Sequence, residues 1–375
     1  MNLGVTFMKY LITGGGTGGH IYPALAIASE IKRINDDADI LYVGTKDGLE
    51  SKLVPKEGYT FKTIRVKGMP RKLNKSSLIA FRELLYGLSD AKRIIKEYKP
   101  DIVIGTGGYV SGPLVLMAKI LKIPTLIHEQ NALPGITNRI LSRYVDKVAI
   151  TFDEAIKYFK YPEKVVNTGN PIRYEFLQVD KATAYNLLDI NPNEPFIFSF
   201  GGSGGQKKLN ESMYEIIKYY NSKNKMELQL IHVTGTRFYD DFINKLNKDG
   251  IVLKPYIRVL PYFYDMPEVL NIADIVITSA GAITLAEISA VGVASILVPK
   301  AYTAENHQEY NARTFENNGA SLMILEKDLN YVKLKDSIEE LINDRVRLNK
   351  MAINSKKMGK TNASKLIVAE INKLI

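Results

Sequence analysis

Three glycine-rich segments stand where an apolar run gives way to a helical pattern. They are Gly14-Gly15-Gly16-Thr17-Gly18-Gly19-His20, Gly105-Thr106-Gly107-Gly108-Tyr109-Val110-Ser111-Gly112-Pro113 and Gly201-Gly202-Ser203-Gly204-Gly205-Gln206. Glycines there let backbone N–H groups crowd towards an anion, and a helix that follows adds the partial positive charge of its N-terminus. The chemistry on offer is the binding of phosphate. Gly14, Gly16 and Gly19 also satisfy G-x-G-x-x-G, but a nicotinamide site wants an acid at the end of the second strand. Tyr42-Val43-Gly44-Thr45 has none before Asp47. No G-K-[ST] is present, so the first loop is not a Walker P-loop. One such loop is as readily a tight turn; three at the carboxyl ends of strands mark the edge where open α/β sheets bind ligands.

Side chains with possible roles lie beside these loops. His20 closes the first, either as a hydrogen-bonding group that fixes it or as a general base. Glu129 and Asn131, in His128-Glu129-Gln130-Asn131, follow an apolar strand and suit either a ligand-facing wall or a capping loop. Ser279-Ala280-Gly281-Ala282-Ile283-Thr284-Leu285-Ala286-Glu287 runs from a strand end into a helix whose N-terminus is free to meet a phosphate. Glu287 either accepts from sugar hydroxyls or complements the helix dipole. Asp37-Ala38-Asp39 matches D-x-D but lies in a polar turn and reads as solvated. The four histidines, His20, His128, His232 and His307, are far apart, and no pair has metal-ligand spacing. No metal or other cofactor is expected.

The elements that must carry these groups alternate. Strands are predicted at Tyr10–Thr13, Ile40–Gly44, Asp101–Gly105 and Thr125–His128, with helices near 23–34 and 112–121. The pattern restarts at Phe196–Phe200 and continues through Leu228–Val233, Ile275–Thr278 and Ser295–Val298, with helices near 209–220, 283–291 and 305–318. Asn170–Glu194, with Pro171 and Pro192 inside it and Pro195 at its end, reads as the connection. Strand–helix alternation of this kind builds parallel sheets covered by helices. The fold class is α/β, with two Rossmann-like domains. A length of 375 residues fits two domains.

Composition narrows the class. With 46% apolar and 24% charged residues the chain is an ordinary globular one. It has no cysteine, which removes disulfides, iron–sulfur clusters and thiol nucleophiles. No apolar run is long enough to span a membrane as a helix. Met1–Phe7 is too short for a signal segment, so a cytosolic chain is expected. The net charge of +10 is uneven: residues 62–99 hold eleven bases against three acids. That excess calls for an anionic partner. Met69, Leu73, Leu78, Ile79, Phe81, Leu84, Leu85 and Tyr86 lie among those bases. An apolar face with basic flanks is a peripheral membrane anchor, although the same pattern fits an amphipathic helix packed on a sheet. No nucleic-acid motif accompanies the charge, so no nucleic acid is expected as a partner.

Together these motifs resemble a family. Gly15 to His20, Gly107 to Pro113, His128-Glu129-Gln130-Asn131, Gly169-Asn170-Pro171-Ile172-Arg173, Gly201-Gly202-Ser203, Ala280 to Glu287 and His307-Gln308 occur in that order along nearly the whole chain. It resembles the MurG family of bacterial cell-wall N-acetylglucosaminyltransferases. The resemblance implies the GT-B fold, two Rossmann-like parallel-sheet domains facing across a cleft. The first would comprise 8–172 with a returning C-terminal helix at 356–375, and the second 173–355. It implies inverting transfer of N-acetylglucosamine from UDP-N-acetylglucosamine to the muramoyl C4 hydroxyl of lipid I, giving lipid II, at the cytoplasmic face of the membrane.

The site residues it implies are these. Arg173 and Ser203 would contact the donor, and the segment at Phe263 would take uracil. Ala282, Ile283, Thr284, Leu285 and Ala286 would set a helix N-terminus at the phosphates, and Glu287 would take the ribose hydroxyls. Asn131 and Gln308 would face the sugar, with Thr17, Gly18 and Gly19 completing the donor site from the first domain. Gly16, Gly107, Gly108, Tyr109 and Ser111 would receive the acceptor diphosphate. His20 is the candidate base and Glu129 the runner-up. The chain departs from the family twice. Ser279 stands where many members carry arginine, and Gly204 where the usual loop has glutamine, leaving Gln206, Lys207 or Lys208 to compensate. Residues 62–99 would meet the anionic inner leaflet. Two other classes compete: a UDP-N-acetylglucosamine 2-epimerase on the same fold, needing no acceptor, and a non-catalytic membrane adaptor that binds sugar nucleotide.

Overall fold

The computed structural model describes residues 7–68 and 75–375. The basic residues Arg71 and Lys72 and the apolar Met69 and Leu73 of the membrane-anchor reading lie outside the described residues, as do residues 1–6.

The chain divides into two compact units, residues 1–172 with 362–375, and residues 173–361. The first holds a seven-stranded sheet: β1 (Lys9–Thr13), β2 (Asp39–Gly44), β3 (Thr60–Thr63), β4 (Ile102–Gly105), β5 (Thr125–Glu129), β6 (Lys147–Ile150) and β7 (Val165–Asn167). Their order is β3-β2-β1-β4-β5-β6-β7, and every pairing is parallel. The second unit holds β8 (Phe196–Phe200), β9 (Gln229–Val233), β10 (Ile257–Leu260), β11 (Ile275–Thr278), β12 (Ala294–Leu297) and β13 (Ser321–Met323), ordered β10-β9-β8-β11-β12-β13 and again all parallel. This is the α/β class expected, with two Rossmann-like sheets.

The central strands are apolar on both faces because helices cover both. Leu11 and Val43 face a core with Ile94, Ile95, Leu114 and Val115, while Tyr10, Ile12 and Tyr42 face another with Ile21, Ala24, Ile27 and Ile31. The helix Ala363–Asn372 closes the latter through Ile367, Val368 and Ile371. The return to the first unit begins at Asn362 rather than at 356. The helix Arg345–Met358 packs with the second unit, and a Cβ on Gly359 would stand 2.4 Å from the Ser289 carbonyl oxygen.

The stretch Asn170–Glu194 is more than a connection. From Arg173 it belongs to the second unit, where Phe176 and Ala184 are buried. Asn271 Nδ2 donates to the Phe176 carbonyl at 3.0 Å. Five strands, β3, β6, β7, β10 and β13, are absent from the sequence reading. Each has three or four residues, and four of the five are sheet edges, where incomplete burial leaves no sustained apolar run.

Among the described residues no helix is long and apolar enough to cross a membrane, and no group of three or more His, Cys, Asp or Glu could hold a metal ion.

Candidate functional site

In the first unit the loops after β1 and β4 meet. Gly16 and Gly108 have φ of +85° and +78°, the left-handed region that favours glycine. A Cβ on Gly108 would lie 2.3 Å from the Gly15 carbonyl oxygen, so the approach of the two loops depends on that hydrogen. Beneath the first loop sits Glu50, fully buried. Its carboxylate accepts from the Gly16 N–H at 3.2 Å, the Thr45 N–H at 3.0 Å and the Thr45 hydroxyl at 2.7 Å. A charge so held fixes the loop. The helix Gly18–Ile34 then starts with no side-chain cap, and Gly16, Thr17 and Gly19 are exposed. The loop therefore offers backbone groups to a ligand. Tyr109, also exposed, lays its ring 3.3 Å from the Cβ position of Gly16. Ser111 differs from expectation. It is buried, accepts from the Gly107 N–H at 3.2 Å and donates to the Gly107 carbonyl at 2.7 Å, so it shapes the second loop instead of facing a ligand.

His20 is half-buried with its ring against Gly107 and Gly108. Its Nδ1 lies 3.1 Å from the Thr106 carbonyl oxygen and 3.1 Å from Gln130 Oε1. Both are acceptors, so Nδ1 carries a proton, and in the neutral tautomer the lone pair is on Nε2. The runner-up base is placed differently. Glu129 is buried at the end of β5 and accepts four hydrogen bonds, from the Asn131 and Gly135 N–H groups and the Asn131 and Asn138 side-chain amides, at 2.8–3.1 Å. It builds the loop that carries Asn131, and its lone pairs are committed to that loop.

In the second unit the loop after β8 is held by two left-handed glycines, Gly202 and Gly205, with the Gly205 N–H donating to the Gly202 carbonyl at 3.0 Å. Ser203 and Gly204 are exposed at its tip. Lys300, which the sequence reading did not single out, donates from Nζ to the Gly205 carbonyl at 2.9 Å. Its ammonium and the Ser279 hydroxyl converge on Gly202, 3.8 and 3.3 Å from where its Cβ would stand. Burial pulls the Lys300 pKa down, opposed by the charge of Glu326. Of the three residues expected to compensate for Ser279 and Gly204, Gln206 is buried and donates to the Val298 carbonyl and Glu326, both at 3.2 Å, while Lys207 and Lys208 are exposed on the helix Lys207–Ser222.

The helix Ala282–Val291 opens at Gly281 with no side-chain cap. Ala282, Leu285 and Glu287 are buried; Ile283, Thr284 and Ala286 are half-buried. Burial pushes the Glu287 carboxyl up to about 7, with the Arg173 guanidinium pulling the other way. Arg173 is exposed and stacks over the Phe176 ring at 5.1 Å. Gln308 is buried and accepts from the Lys300 N–H at 3.0 Å, so its carbonyl is engaged and only its amide NH2 remains to face a sugar. Phe263 packs its ring 5.3 Å from that of Phe198 on β8, which fixes the backbone around it.

In the basic stretch, the helix Lys75–Tyr98 is packed at one end and exposed at the other. Ala91, Ile94 and Ile95 are buried in the core, whereas Leu78, Ile79, Phe81, Leu85 and Tyr86 are exposed.

Comparison with known proteins follows the same division. Residues 10–150 match the glycosyltransferase family 28 N-terminal domain and residues 196–367 its C-terminal domain. The chain is 51% identical over 370 residues to a Finegoldia magna protein, covering 98% of both chains, and 47% identical over 371 residues to a Clostridioides difficile protein, covering 98% of this chain and 89% of that one. Both are named UDP-N-acetylglucosamine–N-acetylmuramyl-(pentapeptide) pyrophosphoryl-undecaprenol N-acetylglucosamine transferase. Among solved structures it is similar to Acinetobacter baumannii MurG, with a TM-score of 0.78 and 30% identity over 98% of this chain and 99% of that one. A Neisseria meningitidis UDP-GlcNAc 2-epimerase shares the fold at a TM-score of 0.68 and 16% identity, over 98% of this chain and all of that one.

Proposed function

The chain belongs to glycosyltransferase family 28, and from that premise we propose that it transfers N-acetylglucosamine from UDP-N-acetylglucosamine to lipid I. The bond formed joins the donor's anomeric carbon to the muramoyl C4 oxygen. The bond broken joins that carbon to the UDP oxygen, and in-line attack inverts the centre. The observation that carries the reading is that each unit has its own anion-ready loops: backbone-lined glycine loops beside His20 in one, and a cation, a glycine loop and an uncapped helix start in the other.

The second unit takes the donor. The Ala282–Val291 helix start and the third loop, with Ser203, meet the diphosphate. Lys300 and Arg173 supply its countercharge. Glu287 accepts from the ribose hydroxyls, the backbone near Phe263 meets uracil, and Gln308 faces the sugar. Preorganised donors of this kind stabilise the charge that develops on departing UDP. The reaction is accordingly expected to continue in chelator.

The first unit takes the acceptor. Gly16, Gly107, Gly108 and Tyr109 receive its diphosphate, with Thr17, Gly18, Gly19 and Asn131 on the reacting side. His20 removes the hydroxyl proton through Nε2. The exposed apolar residues of the Lys75–Tyr98 helix, flanked by Arg82 and Lys92, rest on the anionic cytoplasmic leaflet where a lipid acceptor resides.

The test is release of UDP from UDP-N-acetylglucosamine with and without a soluble lipid I analogue. Release that requires the analogue supports the transferase. Donor turnover without it favours the epimerase, and donor binding with no turnover in either case favours the adaptor.

A further inference from the structure

Four hydrogen-bonded groups run from a backbone carbonyl on one side of the first unit's loops to the imidazole on the other. The Gly169 carbonyl oxygen lies 2.9 Å from His128 Nε2. A carbonyl only accepts, so Nε2 of His128 carries the proton and Nδ1 has the lone pair. Gln130 Nε2 lies 3.0 Å from that Nδ1, 2.8 Å from the Thr106 carbonyl and 3.2 Å from the His128 carbonyl. Three acceptors around one end identify it as the NH2 and leave Oε1 at the other. Oε1 lies 3.1 Å from His20 Nδ1. Each link fixes the polarity of the next, and the last makes Nδ1 of His20 the donor, so that in the neutral ring Nε2 is the nitrogen with the lone pair. Among the described residues nothing bonds to that atom.

The middle of the chain cannot easily reverse. His128 and Gln130 are buried, and desolvation brings the His128 pKa down to about 4, so its Nδ1 stays an acceptor at neutral pH. If Gln130 turned its amide, its oxygen would face two carbonyls and a lone pair while its NH2 met an N–H. That arrangement loses every bond in the set.

We propose that Gln130 and His128 are positioning residues that lock His20 in its Nδ1–H tautomer, so that Nε2 is always the proton-accepting atom. The proposal rests on reading His20 as the base. When Nε2 takes the acceptor's proton, the imidazolium charge at Nδ1–H is shared with Gln130 Oε1 and the Thr106 carbonyl. Glu129, the intervening residue, is not part of the chain, because its carboxylate is turned to Asn131, Gly135 and Asn138.

The experiment is a double-mutant cycle with a tautomer readout. Gln130→Met keeps the side-chain length and removes both polar ends. In the wild-type background it is expected to lower kcat roughly ten- to a hundredfold, as removal of a ring-orienting partner does elsewhere, with the donor KM unchanged. In a His20→Ala background it should cost nothing further, since a residue that acts through another adds no loss once the other is gone. Equal losses in both backgrounds would overturn the relay and leave the base reading intact. Full turnover by His20→Ala alone would instead remove the base reading. Long-range proton–nitrogen NMR on the wild-type protein tests the lock without any variant. Nδ1 of His20 should show the shift of a protonated ring nitrogen and Nε2 that of an unprotonated one. The reverse pattern, or an averaged pair, sinks the proposal.

Discussion

The Lys300 ammonium donates to the Gly205 carbonyl and lies within reach of Gly202, on the side of the loop where Ser279 leaves room. An ammonium held against a backbone loop by one neutral acceptor has two donors left for an anion. Lys300→Met should weaken UDP binding about ten- to a hundredfold, the range expected for a lost charge-assisted contact. Uridine, which has no phosphate, should bind as before. Isothermal titration with both ligands checks this. Equal weakening of both would mean that the loop had moved and that the charge was not the cause.

Glu287 shows the opposite tuning, a carboxyl raised to about 7 by burial. The ionised form accepts from ribose hydroxyls, whereas the protonated form must spend one oxygen as a donor. Lowering the pH through 7 should therefore weaken binding of UDP-N-acetylglucosamine, and raising it above 8 should bring affinity to a plateau. This nucleotide sugar has no group of its own titrating in that window. Glu287→Gln should bind weakly at every pH and lose the dependence. A wild-type affinity that is flat from pH 6 to 8.5 would remove the carboxylate from ribose recognition.

These two residues also mark how far the sequence could be read. The glycine loops were legible, because a loop between an apolar strand and a helix is written in consecutive residues. So was Glu287, a fixed distance into a helix. Lys300 was not, because it follows β12 and reaches a loop after β8 that is 95 residues away in sequence. Glu50 was missed for the same reason, as an acid at the start of a short helix whose partner is a glycine N–H in another loop. Gln130 was seen within its motif, yet its role lies in the orientation of its amide, which depends on carbonyls at Thr106 and His128 that no spacing reveals. The short edge strands escaped because they lack the two-sided apolar face that identified the central ones.

Acid stability follows from two buried histidines, one in each unit. Burial lowers His128 to about 4 and His232 to about 3, from an ordinary value of 6.5. Unfolded, each binds a proton below 6.5; folded, neither does until the pH is far lower. The stability they contribute is thus complete above 6.5 and is lost as pH falls towards 4. The slope is up to about 1.4 kcal/mol per pH unit for each histidine. Denaturant melts at pH 7.5, 6, 5 and 4.5 should show stability falling with pH in both units. Constant stability of either unit over that range would mean that its histidine binds its proton as readily folded as unfolded.

The second loop makes a sharper demand on a single residue. Gly108 has φ of +78°, and a Cβ there would meet the Gly15 carbonyl oxygen at 2.3 Å, an atom of rigid backbone. Gly108→Ala should therefore push the first and second loops apart. We expect a loss of about 1–3 kcal/mol in stability from the strained backbone. Turnover should fall more than donor affinity, because most of the residues proposed to hold the donor lie in the other unit. Gly58→Ala is the control, with φ of +80° and nothing within 4 Å of its Cβ position. If the two alanine variants lose stability and turnover alike, the contact with Gly15 has no separate importance.

The apolar end of the Lys75–Tyr98 helix can be tested apart from chemistry. Phe81 and Leu85 are about half exposed, at 52% and 51%, whereas Ile94 and Ile95 near the other end are buried. Phe81→Asp with Leu85→Asp therefore changes a surface without opening the core. Two apolar anchors are lost and two negative charges are brought to an anionic bilayer, where each basic residue is worth on the order of 1 kcal/mol. Binding to vesicles that contain phosphatidylglycerol should drop below detection, while turnover of a soluble acceptor analogue should stay within about twofold of wild type, as expected for surface substitutions remote from a site. Raising the salt should weaken wild-type binding only in part, because the apolar contribution is not screened. Undiminished vesicle binding by the double variant would place the membrane contact elsewhere on the chain.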